Sequence, residues 1–128
     1  DQGATTVWER WDSYTKDKGF GSAGMNSFNH YAYGAVLAWM YGTMAGIQPG
    51  PQGGFDTEFH LAPVPDERIG FVEATYRTKN GLIKSAWRYE NGKCLWKFTV
   101  PPDSKAIVCV NGMCRPYAAG DYELEIKK

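Results

Sequence analysis

Apolar side chains recur at close to helical spacing between residues 26 and 46. The positions at this spacing are Phe28, Tyr31, Ala32, Ala35, Val36, Trp39, Met40 and Thr43. The pattern predicts one helix from Asn26 to Gly46, with Asn26 or Ser27 as its N-cap and Gly46 just past its end. The helix would be apolar on nearly all sides, and no other helix in this chain could cover it. We therefore expect a missing N-terminal partner from the same polypeptide.

Beyond residue 50 the apolar period changes from helical spacing to strict alternation. Gln48 to Gly54 consists of Gln, Pro and Gly and predicts a linker. The predicted strands are Phe55–Leu61, Gly70–Thr78, Ile83–Glu90, Cys94–Val100, Lys105–Val110, Met113–Pro116 and Tyr122–Lys127. Short strands with regular turn signals predict a small antiparallel β-sandwich. The fold class is therefore α+β, with residues 1–50 and 54–128 as separate domains.

Charge and hydropathy argue against two classes of partner, nucleic acids and membranes. The chain has 14 Lys and Arg against 14 Asp and Glu, so its formal net charge is zero. It has no basic stripe to neutralise phosphates, so we expect no nucleic-acid partner. No run approaches the roughly 18 apolar residues of a membrane span, so we expect no membrane partner. The chain opens on Asp1 with no visible signal peptide, and we expect a processed product or part of a longer protein.

Three cysteines can form at most one disulfide within the chain, so at least one is unpaired. Cys109 and Cys114 flank an Asn111-Gly112 dipeptide, which favours a type I′ hairpin turn and would place the two cysteines opposite each other. A disulfide or two free thiols both fit this arrangement, while a zinc site is less favoured because only two ligands are local. A disulfide would favour the periplasm or secretion over the cytoplasm.

The first candidate for chemistry is the segment Thr5–Ser13. It places Trp8 and Trp11 around Glu9 and Arg10, in a chain with 15% aromatic residues. Aromatic faces pack on the C–H patches of sugar rings, and carboxylates bind hydroxyls or transfer protons. In an extended segment Trp8 and Arg10 would point one way and Glu9 and Trp11 the other. A surface strand with an ion pair and two half-buried tryptophans fits the same residues.

A second candidate follows the Gly-rich loop Lys18–Gly24, which lacks the pattern of a phosphate-binding loop. Asn26 and His30 lie just beyond it, and His30 would occupy the first turn of the predicted helix. Donors at a helix N-terminus point towards anions and hydroxyls, so both residues are candidate sugar contacts. A structural histidine is the alternative.

At these residues the sequence resembles one family closely. Thr5–Asp12, Gly24–Gly34, Trp39–Tyr41 and Ala45–Ile47 are similar to the closing segment of the catalytic domain of bacterial α-L-rhamnosidases. Residues 54–128 resemble the C-terminal β-sandwich of that family more loosely. The order of the elements also agrees, so the chain resembles the C-terminal piece of such an enzyme.

The resemblance implies a fold and an activity. The first part of the chain would contribute one or two helices from the end of an (α/α)6 barrel. The whole enzyme would remove terminal α-L-rhamnose from a glycoside or polysaccharide with inversion, with Glu9 as general base and His30 contacting the sugar. Trp8, Trp11 and Asn26 are the other expected substrate-binding residues. Arg10, His30 or an amide would hold the Glu9 carboxylate.

No cofactor is implied. Some relatives are said to bind calcium, but this sequence has no cluster of oxygen ligands to support a metal site.

The chain departs from a complete family member because the general acid belongs to an upstream segment that it lacks. Asp12 is only three residues past Glu9 and cannot easily reach the opposite face of a sugar. We therefore expect the isolated chain to be inactive. Two alternatives remain: a non-catalytic carbohydrate-binding module that uses Trp87 or Trp96, and a purely structural end-piece.

Overall fold

The computed structural model describes residues 3–22 and 24–127. Their contacts form two compact units, one ending at Ala38 and the other starting at Trp39. In the first unit, β1 (Tyr14–Thr15) and β2 (Gly19–Phe20) form a two-stranded hairpin. A row of aromatic rings packs edge to face beside it, with Tyr14 and Phe28 each within 6 Å of Phe20 and with Trp8 against Phe28.

The helix is shorter than the spacing predicted. Helix α1 covers Tyr31–Trp39 and continues into a π-helical turn at Met40–Met44. The predicted start at Asn26 is wrong because the backbone of residues 27–30 bonds to an earlier segment instead of forming a helical turn. The N-cap at Asn26 or Ser27 therefore fails, and His30 precedes the helix.

The end of the helix agrees with the prediction at Gly46. This residue has a φ of 73°, a left-handed conformation that glycine adopts without a steric penalty. A Cβ here would lie 2.1 Å from the backbone nitrogen of Pro63, so no side chain fits. Along the helix, large apolar side chains are exposed: Tyr31, Val36, Leu37, Trp39 and Met40. Such exposure is expected of a helix that is buried within a larger assembly.

The second unit is a β-sandwich of two four-stranded sheets. The presence of this sandwich and of helix α1 in one chain confirms the predicted α+β class. One sheet has the order β10-β7-β6-β5, and the other has the order β3-β4-β8-β9. The strands are β3 (Ile47–Pro49), β4 (Glu58–Leu61), β5 (Phe71–Thr78), β6 (Gly81–Glu90), β7 (Lys93–Val100), β8 (Lys105–Val110), β9 (Met113–Tyr117) and β10 (Gly120–Ile126). All strand pairs are antiparallel except β4 with β8, which is parallel.

The predicted linker is part of the sandwich. Ile47–Pro49 forms β3 and pairs with β4, and the glycines that follow close a tight turn in which the Gly50 N–H donates to the Gly54 carbonyl over 2.8 Å. Pro and Gly at these positions therefore make a strand end and a turn, both of which they favour as strongly as a linker.

Buried side chains of both sheets meet in one core. Its largest members are Trp87, Trp96, Phe59 and Phe98, all at most 2% exposed. The sugar-binding alternative required Trp87 or Trp96 at the surface, so the sandwich does not offer that aromatic platform.

A buried hydrogen-bond network ties the end of the helix to this core. The Ser85 hydroxyl donates to the Ala45 carbonyl over 2.6 Å and accepts the indole N–H of Trp96 over 3.0 Å. The indole N–H of Trp87 donates to the Met44 carbonyl over 2.7 Å. Carbonyls at the end of a helix have no intrahelical partner, and here two side chains of β6 supply the donors.

The disulfide expected as one of two possibilities is present. Cys109 and Cys114 pair across β8 and β9, with their Cα atoms 4.1 Å apart. Asn111 and Gly112 have φ values of 54° and 72°, as the type I′ turn requires. Cys94 is a buried free thiol in the core.

Ser85→Ala should destabilise the chain by about 2–3 kcal/mol, because it leaves the Trp96 N–H and the Ala45 carbonyl buried without this partner. Urea unfolding followed by tryptophan fluorescence measures the change. The matched control is Thr75→Ala on the exposed side of β5, which should stay within about 0.5 kcal/mol of the parent. Equal midpoints for the two variants would show that the Ser85 network contributes no stability.

Cysteine labelling checks the pairing and the buried thiol. Burial raises the pKa of the Cys94 thiol, so less of the reactive thiolate is present at neutral pH. The native chain should therefore resist alkylation, the denatured chain should take up one label at Cys94, and the reduced, denatured chain should take up three. Mass spectrometry counts the labels. Three labels without reduction would exclude the disulfide.

Candidate functional site

The two segments singled out in the sequence lie side by side in the first unit. The His30 N–H donates to the Val7 carbonyl, and the Glu9 N–H donates to the Ser27 carbonyl, each over 2.8 Å. The Thr6 hydroxyl donates to the Phe28 carbonyl over 2.5 Å. Residues some twenty positions apart in the chain are thereby held in a fixed register.

Glu9 has its carboxylate bound by a backbone amide. The Ser27 N–H donates to Glu9 Oε2 over 2.9 Å, while the Glu9 N–H donates back to the Ser27 carbonyl. A backbone amide is one of the three kinds of donor expected for this carboxylate. Arg10 is exposed, and among the described residues no salt bridge joins it to Glu9. Two hydrogen bonds to the same residue fix both the backbone and the side chain of Glu9.

Thr5–Ser13 is not a continuous extended segment, because the chain bends after Trp8. A turn runs to Ser13, whose N–H donates to the Arg10 carbonyl over 3.3 Å. Trp8 is half-buried with its ring 5.1 Å from that of Phe28, whereas Trp11 is 100% exposed. The turn therefore separates the environments of Glu9 and Trp11, which a straight strand would have placed on one side.

Asn26 faces the turn that follows Glu9. Its Nδ2 donates to the Ser13 carbonyl over 2.9 Å. Its Oδ1 is buried and accepts no hydrogen bond from the described residues. Ser13 and Ser27 were missed by sequence reasoning, because one acts mainly through its carbonyl and the other through its amide, which every residue type carries.

Two other kinds of site are not found among the described residues. No group of three or more His, Cys, Asp or Glu could hold a metal ion in the described part of the chain. No helix within the described ranges is long and apolar enough to cross a membrane. A shallow cavity of about 420 Å³ lies on the sandwich and includes Glu73, Lys84, Ala86 and Lys97 in its lining, none of them a predicted site residue.

Both parts of the chain match models of one protein family. Residues 1–44 match the bacterial alpha-L-rhamnosidase 6 hairpin glycosidase domain, and residues 46–124 match the bacterial alpha-L-rhamnosidase C-terminal domain. An alpha-L-rhamnosidase of Formosa agariphila is 44% identical over 82% of this chain, and one of Streptomyces avermitilis is 41% identical over 86%. The chain spans 11% and 10% of those two proteins.

Solved structures agree with the sequence comparison. The crystal structure of Streptomyces avermitilis alpha-L-rhamnosidase complexed with L-rhamnose matches 99% of this chain with a TM-score of 0.71 and 32% identity, and the chain covers 14% of it. The alpha-L-rhamnosidase of Aspergillus terreus matches 97% of the chain with a TM-score of 0.75 and 27% identity, and 15% of it is covered. The chain therefore belongs to the bacterial α-L-rhamnosidase family, in which it corresponds to the end of the 6-hairpin glycosidase domain and to the C-terminal domain.

Proposed function

We propose that the protein to which this chain belongs hydrolyses terminal α-L-rhamnose from glycosides or polysaccharides with inversion, and that Glu9 is its general base. The observation that carries this proposal is the Glu9 carboxylate, which is half-buried and held by the Ser27 amide over 2.9 Å. Family membership and the L-rhamnose complex of the Streptomyces avermitilis relative support the sugar class.

The bonds at Glu9 suit a general base. Oε2 accepts the Ser27 N–H, and in this proposal Oε1 faces the attacking water molecule. In an inverting reaction the base takes a proton from this water as its oxygen bonds to the anomeric carbon. The glycosidic C–O bond breaks on the other face, where a carboxylic acid protonates the leaving oxygen. The two carboxyl groups stand roughly 6.5–9.5 Å apart to admit the water.

The remaining contacts assign roles around the sugar. Trp11 exposes its whole ring, which would pack on the C–H face of a pyranose. Trp8 precedes Glu9, and His30 bonds to Val7 across the paired segments; both residues are half-buried and would contact the rhamnose. Asn26 was predicted as a further sugar contact, but its hydrogen bond to the Ser13 carbonyl favours a role in holding the turn that carries Glu9.

The isolated chain would be inactive, because this proposal takes the general acid from an upstream segment. Asp12 belongs to the same short turn as Glu9, so it cannot protonate an oxygen on the opposite face of the sugar. A purely structural role for the chain remains the competing hypothesis. It predicts that Glu9 can be replaced without loss of activity.

The compartment is also a proposal. The Cys109–Cys114 disulfide favours an oxidising environment, so we expect the protein to work in the periplasm or outside the cell.

Glu9→Gln in the full-length enzyme should lower kcat by about 10²–10⁴-fold and leave KM nearly unchanged, because the amide keeps the shape of the side chain but cannot accept the proton. Turnover of an aryl α-L-rhamnoside measures both constants. Glu73→Gln, an exposed glutamate of the sandwich, is the matched control and should keep the parental rate.

The 128-residue chain serves as a second comparison in the same assay and should give no turnover. Two results would contradict the proposal. Parental kcat in Glu9→Gln would remove Glu9 from the mechanism, and robust turnover by the chain alone would mean that both catalytic carboxyl groups lie within it.

A further inference from the structure

The turn that carries Glu9 is held at both ends by two adjacent residues. At its start, the backbone of Ser27 makes two hydrogen bonds with Glu9, one to the N–H and one to the carboxylate. At its end, the Asn26 side chain donates to the Ser13 carbonyl over 2.9 Å. Residues 9–13 therefore cannot move as a turn without breaking bonds to the Asn26-Ser27 dipeptide.

Ser13 is the residue of this turn at which several hydrogen bonds converge. It is 1% exposed, and its carbonyl accepts both the Asn26 amide and the Gly21 N–H, the latter over 2.8 Å. Its hydroxyl accepts the Arg10 N–H over 3.3 Å. A Cβ at Gly21 would lie 3.3 Å from the Asp12 carbonyl, which shows how closely the two backbones approach. Buried polar groups with several partners of this kind hold one conformation.

The Asn26 amide is poorly placed for a sugar. One of its two amide N–H groups already donates to the Ser13 carbonyl, and its oxygen is buried. A residue that binds a sugar hydroxyl presents a donor or acceptor to the ligand, and this oxygen is not accessible from its present position. Its contacts instead lie on the turn that leads back to Glu9.

We propose that Asn26 is a positioning residue that acts through Ser13, fixing the Glu9–Ser13 turn so that the Glu9 carboxylate meets the attacking water in line with the anomeric carbon. This inference rests on the proposed role of Glu9 as general base. A catalytic group displaced by about 1 Å can lose 10²-fold in rate, so one hydrogen bond on a turn can matter to the reaction without touching the substrate.

Asn26→Asp in the full-length enzyme tests the proposal, because it keeps the size of the side chain and replaces the donor that faces Ser13 with an acceptor. With an aryl α-L-rhamnoside, kcat should fall by about 10- to 100-fold and KM should stay within about twofold. Asn26→Ser, smaller and uncharged, should show the same split. Asn91→Asp, the same change in an exposed turn of the sandwich, should keep the parental constants.

Azide separates positioning from a structural defect. An azide nitrogen forms the bond to the anomeric carbon while the glycosidic C–O bond breaks and the general acid protonates the leaving oxygen, so no base is needed. If Asn26 acts by placing Glu9, azide should restore much of the rate of Asn26→Asp and yield β-L-rhamnosyl azide. Azide cannot repair a misfolded enzyme, and thermal unfolding of each variant provides the independent check on folding.

A double mutant identifies the residue through which Asn26 acts. On a Glu9→Gln background, Asn26→Asp should cause little further loss of kcat, because the base that it positions is already gone. Fully multiplied losses would overturn the proposal, as would a raised KM with unchanged kcat, which is the signature of a sugar contact.

The outcome also distinguishes this inference from the proposed function. Glu9→Gln impaired beside Asn26→Asp at the parental rate removes the positioning role and leaves the base in place. Glu9→Gln at the parental rate removes both.

Discussion

The site depends on one interaction, the pairing of Glu9 with Ser27. Two bonds form between these residues, from amide to carbonyl and from amide to carboxylate. The Ser27 N–H and carbonyl both bond to Glu9, so Ser27 does not take part in a helical turn. Helix α1 therefore starts only at Tyr31. The same pairing brings His30 beside Val7 and the rings of Trp8 and Phe28 together. Residues 26–30, which the apolar spacing placed in the helix, therefore precede it, and Ser27 binds the Glu9 carboxylate instead.

A second constraint acts within the sandwich unit, where the helix ends. The carbonyls of Met44 and Ala45 receive the indole of Trp87 and the hydroxyl of Ser85, both from β6. Gly46 then turns the chain into β3 with no room for a side chain. Specific hydrogen bonds and close packing thus hold the segment from Met44 to Ile47 against the core of the sandwich.

Sequence reasoning predicted the strands well and the helix start poorly, for physical reasons. Alternation in β7 is strict, with four buried residues in eight, and the turns at Asn91-Gly92 and Asn111-Gly112 have the positive φ values that this dipeptide favours. The start of α1 and the strand at Ile47–Pro49 are both decided by partners distant in the chain, which local spacing does not encode. The parallel pairing of β4 with β8 is non-local in the same way.

The candidate site shows a similar division. Residues whose side chains are proposed to carry the chemistry, such as Glu9 and Trp11, are visible in a motif. Ser27 and Ser13 act chiefly through backbone atoms, and their importance emerges only when the fold brings them to Glu9 and Asn26. Asn26 was predicted as a sugar contact, whereas its observed hydrogen bond is to the turn that follows Glu9.

As general base, Glu9 would activate a water molecule for direct displacement at the anomeric carbon. Proton NMR of the first sugar released from an aryl α-L-rhamnoside by the full-length enzyme, at times shorter than mutarotation, checks this role. A single displacement should release β-L-rhamnose first, with the α anomer appearing later. Release of α-L-rhamnose first would indicate a covalent intermediate and two displacements, and would contradict the assignment of Glu9 as the base of an inverting reaction.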